Sequence, residues 1–202
     1  MSTNVVALHP GCFGTRSYVG SVPVLLTEWD RERAERWQQE IDATAMNQRP
    51  SATGIYHEGR YRIGWLGELA FLRWARSFGA VCHHSVATDG KPGHEPEFRV
   101  RRNGRTLLLD VKTRTSMPDA LAVHEREKLD ADVFVLAHIW DRSNRLVELV
   151  GWAYRDELAS TPITPIPDFK NKPGHSLSRH ALRDMRVLML GLDPDDNPFD
   201  ET

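Results

Sequence analysis

Apolar residues recur along this chain at two different spacings, and each spacing predicts one kind of secondary structure. In residues 27–48 and 63–79 they recur every three or four positions, which is typical of helices with one buried face. Thr27 is a suitable N-cap for the first helix, and Gly79 is a suitable C-terminal residue for the second. Short apolar runs bounded by turn residues predict five strands, at 80–86, before and after Asn103-Gly104, at 132–140 and at 145–154. This order of elements predicts an α/β fold, a mixed β-sheet flanked by α-helices.

The remaining segments are polar or rich in glycine and proline. They predict loops at 49–62, 89–96 and 161–176, followed by a short helix at 176–185. We expect a single domain over residues 27–190, with an N-terminal arm at 1–26 and an acidic C-terminal tail at 191–202. Short apolar runs between glycine and proline predict that the arm contains one or two strands or is otherwise ordered.

Composition and charge narrow the class of protein. A chain of 202 residues with 40% hydrophobic residues and six tryptophans can bury a substantial core. We expect a cytoplasmic protein with no membrane partner, because no apolar run reaches the roughly 20 residues of a membrane helix and the N-terminus lacks a signal-peptide pattern. The two cysteines, Cys12 and Cys82, fit a reducing compartment. The net charge of −2 does not by itself suggest a polyanion partner, but basic residues concentrate at 99–114 and 170–186, where they form either phosphate-binding faces or ordinary solvated surface.

The Asn103-Gly104 pair sets the register of the predicted hairpin. Asn-Gly favours a two-residue type I′ turn, since both central residues of that turn need positive φ. Counting outward from the turn pairs Glu97 with Asp110, so two carboxylates meet on one face of neighbouring strands. Lys112 projects from the same face, because side chains alternate along a strand. Two like charges this close are costly unless a positive group separates them, which indicates a divalent metal site; the alternative is an Asp–Lys or Glu–Lys ion pair at a sheet edge.

A third carboxylate lies on the second predicted helix. Glu68 has apolar residues three, four and seven positions later, at Phe71, Leu72 and Ala75, so it leaves the helix on the face that packs inward. A first-turn acid that stabilises the helix dipole would explain its position in the helix but not these neighbours.

Together these residues resemble the PD-(D/E)XK nuclease superfamily, whose members share the restriction-endonuclease-like fold. Pro96-Glu97 stands at the place of the PD motif, and Asp110-Val111-Lys112 stands at the place of (D/E)XK. Glu68, in the segment GELAFLRWA, resembles the acidic residue that many members carry on the helix before the core hairpin. The resemblance covers roughly residues 60–152 and departs from the family at Glu97, where aspartate is usual.

What the resemblance implies is Mg²⁺-dependent hydrolysis of phosphodiester bonds in DNA, with Mn²⁺ able to substitute and with 5′-phosphate and 3′-hydroxyl ends as products. The implied metal ligands are Glu97, Asp110 and the backbone carbonyl of Val111, with Glu68 as direct or water-mediated support. Lys112 would orient the attacking water and stabilise negative charge in the transition state. On charge and position alone, six further residues are assigned to nucleic-acid contacts: Thr113, Arg114, Lys172, Arg179, His175 and His180.

Three functions stay open at the level of the sequence. The first is a DNA endonuclease, for which a homodimer is one assembly to consider. The second is a non-catalytic nucleic-acid-binding or assembly protein that keeps this fold after losing cleavage. The third is a junction-resolving nuclease or one directed at RNA. A zinc site at Cys82-His83-His84 is not predicted, because adjacent strand residues alternate faces and no second Cys or His pair follows at zinc spacing, so we expect core or surface roles there.

Overall fold

The computed structural model describes residues 20–47, 60–85, 96–102, 105–125, 129–140, 143, 145–167 and 171–190. These residues form nine strands and four helices. The strands are β1 (Val22–Leu25), β2 (Val81–His84), β3 (Phe98–Arg102), β4 (Arg105–Arg114), β5 (Ala120–His124), β6 (Val133–Ile139), β7 (Leu146–Tyr154), β8 (Thr164–Ile166) and β9 (Lys172–Ser178). The helices are α1 (Glu28–Asn47), α2 (Arg60–Ser77), α3 (Arg155–Ala159) and α4 (Met185–Leu190), and a 3₁₀ turn at Arg179–Ala181 follows β9.

Six strands form one mixed sheet in the order β1-β7-β6-β4-β3-β2. Neighbouring strands run antiparallel except β4 and β6, which are parallel. The predicted mixed α/β architecture is therefore confirmed. The register of β3 and β4 is also the predicted one, with Phe98 opposite Leu109 and Arg102 opposite Arg105. The two residues of the predicted turn between them lie outside the described residues.

The two faces of this sheet are covered differently. On one face, α1, α2 and α4 enclose the larger core, to which Leu109, Val111 and Val135 contribute from the sheet. On the other face, a three-stranded antiparallel sheet in the order β5-β9-β8 and the helix α3 enclose a smaller core around Phe134 and Leu136. Flanking helices were thus predicted correctly for the first face, whereas strands contribute much of the cover on the second.

The predicted ends of α1 and α2 are confirmed by their hydrogen bonds. Thr27 and Asp30 cap α1 reciprocally: Thr27 Oγ1 accepts from the backbone N–H of Asp30 at 3.2 Å, and Asp30 Oδ2 accepts from the backbone N–H of Thr27 at 2.9 Å. Gly79 has a φ of 75° and ends α2, because glycine adopts this left-handed conformation at no steric cost. None of the helices in the described part of the chain combines the length and apolar content needed to cross a bilayer.

Two predictions near the C-terminus are wrong. The segment 161–176, predicted as a loop, contains β8 and most of β9, which pair antiparallel. The segment 176–185, predicted as a helix, contains the end of β9 and the 3₁₀ turn, and α4 begins only at Met185. The prolines misled the prediction, because Pro165 lies on the edge strand β8, where a missing backbone N–H is tolerated. The strand β5 and the short helix α3 were not predicted.

The strand β1 falls within the predicted N-terminal arm. Val22–Leu25 pairs antiparallel with β7 at the edge of the six-stranded sheet, so this part of the arm belongs to the fold. Residues 1–19 and the predicted tail at 191–202 lie outside the described residues.

The contact between α2 and β4 depends on a glycine. A Cβ atom built on Gly67 would lie 2.0 Å from Thr113 Oγ1, far inside van der Waals contact, and 3.1 Å from Thr113 Cγ2, which is tighter than ordinary contact. The helix backbone therefore packs directly on the threonine side chain. Because Glu68 is the next residue of α2, the same close approach fixes how near its carboxylate lies to the sheet.

We expect Gly67→Ala to destabilise the protein by about 1–3 kcal/mol, since overpacking outweighs the better helix propensity of alanine. Adding Thr113→Ala removes the colliding atoms, so the double variant should lose much less stability than the two single losses added together. Urea unfolding of the four proteins in this cycle measures the coupling. Additive losses would contradict a direct collision.

Candidate metal-binding and catalytic site

The strand β4 extends beyond the start of β3, and Glu97 occupies the position that β3 leaves. β3 begins at Phe98, opposite Leu109, whereas β4 continues to Arg114. The Oε2 atom of Glu97 accepts a hydrogen bond from the backbone N–H of Val111 at 2.7 Å. In a continued antiparallel ladder that N–H would donate to a carbonyl of the neighbouring strand. A side-chain carboxylate thus replaces a strand partner and lies beside the backbone of β4.

Asp110 and Lys112 form an ion pair on the face of β4 opposite to α2. The Nζ atom of Lys112 lies 2.9 Å from Oδ1 and 3.0 Å from Oδ2 of Asp110. The Asp110 side chain is only 19% exposed and the Lys112 side chain only 21% exposed. This Asp–Lys ion pair is the simpler alternative to a metal site, and it lies where β4 extends past the start of β3, at the border of the paired part of the sheet.

Glu68 reaches the same region from α2. Its side chain is buried, and its Oε2 atom lies 2.5 Å from Nε2 of His84, the last residue of β2. The imidazole of His84 stacks on the ring of Phe98 with 4.5 Å between centroids and an interplanar angle of 10°. It also meets the ring of Trp37 from α1 at 5.4 Å. The histidine is thus held by aromatic rings on two sides while it contacts the carboxylate.

Burial and mutual repulsion raise the pKa values of two of these carboxyl groups. The pKa of Glu97 lies well above its ordinary value of 4.5, first because burial disfavours the charged form and then because Glu68 and Asp110 repel it. Lys112 opposes this shift of the Glu97 pKa without cancelling it. Burial also raises the pKa of Glu68, although its hydrogen bond with the neighbouring histidine opposes the change. The structure therefore brings the four residues Glu68, Glu97, Asp110 and Lys112 into one electrostatic environment.

The donor atoms of this group suit a hard divalent cation. Mg²⁺ prefers oxygen ligands and commonly binds through one or two carboxylates while keeping several waters. The carbonyl of Val111 points to the same side of β4 as its N–H, toward Glu97, because both groups of a strand residue face the same neighbour. Within the described ranges, no cluster of three or more carboxylate, imidazole or thiol groups is arranged to hold a metal ion. In this arrangement Lys112 is the positive partner of Asp110.

No protein-family model, curated protein or solved structure matches this chain. Its function is therefore argued from the arrangement of these side chains and from the motifs that they form.

The residues on β4 that were predicted to contact nucleic acid point in different directions. Thr113 faces α2, where its hydroxyl lies 3.4 Å from the carbonyl oxygen of Gly64, so it contacts the helix on that face. Arg114 is half-buried and projects from the same face of β4 as Lys112. Of the two, Arg114 is the residue that continues the surface of the candidate site.

The predicted residues near the C-terminus do not form a single wall. Lys172 begins β9, where it is exposed and paired with Ile166 of the edge strand, whereas Arg179 begins the 3₁₀ turn that follows β9. Arg179 instead approaches β5, where its Nη1 atom is 3.4 Å from the carbonyl oxygen of Pro118. His175 lies between them on β9, with its Nδ1 3.1 Å from the carbonyl oxygen of Thr161, and His180 is exposed in the 3₁₀ turn.

Sequence reasoning missed His84 as a member of the site. The tripeptide Cys82-His83-His84 was considered only for zinc, and a role as a hydrogen-bond partner of Glu68 was not considered. The alternation of inward and outward side chains along β2 could have indicated this role. Because Cys82 is half-buried and His83 is exposed, residue 84 returns to the inward face, toward α2.

Proposed function

We propose that this chain is a Mg²⁺-dependent endonuclease that hydrolyses phosphodiester bonds of DNA, on a restriction-endonuclease-like fold. The observation that carries the proposal is the position of the Glu97 carboxylate on the backbone of Val111, beside Asp110 and Lys112. The mixed sheet and the register of β3 and β4 support it, because the motif resemblance depends on the same hairpin. The raised pKa of Glu97 gives a physical reason to bind a cation, since a positive charge there would relieve the repulsion among three acids.

Each residue of the group has a role in this proposal. Glu97, Asp110 and the carbonyl of Val111 would hold the ion, with Glu68 in support. Bound there, Mg²⁺ would acidify a water molecule and neutralise charge on a phosphate oxygen. Lys112 would exchange its ion pair with Asp110 for the attacking water and the reacting phosphate, where its ammonium stabilises the negative charge that develops. Arg114, on the same face, would bind a substrate phosphate as a charged hydrogen-bond donor.

Cleavage and metal binding, measured together, test the proposal. The full-length protein should nick or linearise supercoiled plasmid in Mg²⁺ or Mn²⁺, leave 5′-phosphate ends and stop in EDTA. Asp110→Asn should lose cleavage and also the heat of Mn²⁺ binding in calorimetry, because an amide is a much weaker ligand than a carboxylate. Asp156→Asn is the matched control, since the Asp156 side chain on α3 is 80% exposed. Cleavage that persists in EDTA, or that is undiminished in Asp110→Asn, would contradict the proposal.

One observation favours a second function, that of a non-catalytic nucleic-acid-binding protein on the same fold. The ammonium of Lys112 lies within 3.0 Å of both oxygens of Asp110, so this carboxylate has a positive partner in the folded protein without a metal. The departure from aspartate at Glu97 points in the same direction. This second function predicts nucleic-acid binding that survives EDTA, with no cleavage of duplex, branched or single-stranded DNA or of RNA. Cleavage of branched DNA or of RNA alone would instead favour the junction-resolving or RNA-directed nuclease.

A further inference from the structure

The imidazole of His84 is unusually constrained for a residue at the end of a strand. Its side chain is 6% exposed, it stacks in parallel on Phe98, and its other close ring neighbour is Trp37. Stacking fixes the plane of the ring, and within that plane the Nε2 atom reaches Glu68 Oε2. The ring contacts and the hydrogen bond together hold the imidazole in this orientation.

The hydrogen bond also selects one tautomer of the imidazole. A carboxylate can only accept, so the bond to the Glu68 carboxylate is made by the Nε2–H of His84. The opposite atom, Nδ1, is buried and has no hydrogen-bond partner among the described residues. A buried N–H without an acceptor is costly, so the tautomer with hydrogen on Nε2 is the one that fits this pocket.

As a result, the hydrogen bond from His84 fixes the orientation of the Glu68 carboxylate. The Glu68 carboxylate, which interacts electrostatically with Glu97 and Asp110, cannot turn without breaking its bond to His84 in a buried environment. Groups that hydrogen-bond to metal ligands orient them, and removing such a group typically weakens metal affinity by roughly 10–100-fold.

We propose that His84 is a positioning residue that holds Glu68 aimed at the metal site through its Nε2–H. The inference rests on the proposed function, because it assigns to His84 the orientation of a carboxylate that supports the ion. His84 itself makes no contact with the substrate or the reacting atoms. Its effect should therefore be visible in metal affinity and not in the rate at saturating metal.

Three variants of the full-length protein test the inference. His84→Phe keeps a ring between Phe98 and Trp37 but removes the donor, so we expect the apparent Kd for Mn²⁺ in calorimetry to rise roughly 10–100-fold. Cleavage at saturating Mn²⁺ should recover to near the parent rate. His84→Gln restores an N–H donor and should recover most of the affinity. His83→Phe is the matched control, since His83 is exposed on the same strand and should leave the Kd unchanged.

Two further measurements exclude a merely structural effect. In the Glu68→Gln background, His84→Phe should cause little additional loss of affinity, because both changes remove the same contact. Long-range ¹⁵N–¹H spectra of the parent protein should show the hydrogen of His84 on Nε2, with or without Mg²⁺. An unchanged Kd in His84→Phe, full additivity with Glu68→Gln, or hydrogen on Nδ1 would each overturn the inference alone. A parent protein that binds no metal would overturn the proposed function, and this inference with it.

Discussion

Replacing Lys112 with methionine should abolish cleavage while leaving metal binding at least as tight as in the parent protein. The ammonium is assigned to the attacking water and the reacting phosphate, and removing one such stabilising group typically lowers kcat by roughly 10²–10³-fold. Lys112 is also the cation that Asp110 holds through both of its oxygens. Its removal takes away the cation that competes with a metal ion for that carboxylate. Single-turnover cleavage and Mn²⁺ calorimetry on the same preparations measure the two effects separately.

Separate effects on the cleavage rate and on the metal affinity distinguish Lys112 from a metal ligand. Asp110→Asn should lose both cleavage and binding, whereas Lys112→Met should lose cleavage alone. Lys112→Arg should remain impaired, because a planar guanidinium does not replace a compact ammonium on a single water or oxygen. Arg36→Met is the control for loss of a positive charge, since Arg36 is exposed on α1. A Lys112→Met protein that cleaves at the parent rate would contradict the mechanism.

The parts of the site that could be predicted from the sequence are those that depend on local rules. The register of β3 and β4 follows from Asn103-Gly104 alone, because a two-residue turn leaves no freedom in the pairing. The inward face of Glu68 follows from helical spacing in one segment. The alternation of a strand brings Lys112 to Asp110. These rules act over a few neighbouring residues, so a single sequence was enough to predict these three features.

The parts that could not be predicted depend on contacts between distant segments. The pairing rule gave Glu97 and Asp110 a common face, but the Glu97 carboxylate instead binds the backbone of Val111, because β3 begins one residue later. His84 contacts residues 16 positions before it and 14 positions after it in the chain, and only the packing of α1 and α2 on the sheet reveals its role. The prolines of β8 and β9 failed as loop markers for the same reason, since their pairing is set by the second sheet.

Glu97 is expected to lower the stability of the metal-free protein at neutral pH. Its pKa in the folded state is raised well above 4.5, by burial first and then by Glu68 and Asp110. The folded protein therefore binds this proton more tightly than the unfolded chain does. The stabilisation from protonated Glu97 is complete below the ordinary pKa and is lost as pH rises from about 4.5 through the raised value. Above that value the folded state carries an unrelieved buried charge.

Replacing Glu97 with glutamine should therefore raise the melting temperature in EDTA at pH 8 and abolish metal-dependent cleavage. Glutamine keeps an oxygen for the N–H of Val111, and each kcal/mol of relieved repulsion raises the melting temperature of a domain of this size by roughly 2–4 °C. The gain over the parent should shrink as the pH is lowered toward 4.5, where the parent is protonated as well. Metal at about 100 times its Kd should stabilise the parent by about 2.7 kcal/mol and leave Glu97→Gln unchanged.

Thermal melts of the parent and Glu97→Gln proteins, with and without Mg²⁺ across this pH range, measure these differences in stability. Glu32→Gln is the control, since Glu32 lies on the exposed face of α1. The opposite result, a Glu97→Gln protein less stable than the parent in EDTA at pH 8, would mean that the carboxylate is held for structure. A buried acid that costs stability until an ion neutralises it has a physical reason to be kept only where the ion is used. Stabilisation by Mg²⁺ of the parent protein but not of Glu97→Gln therefore separates a metal-dependent nuclease from a fold that no longer binds a metal.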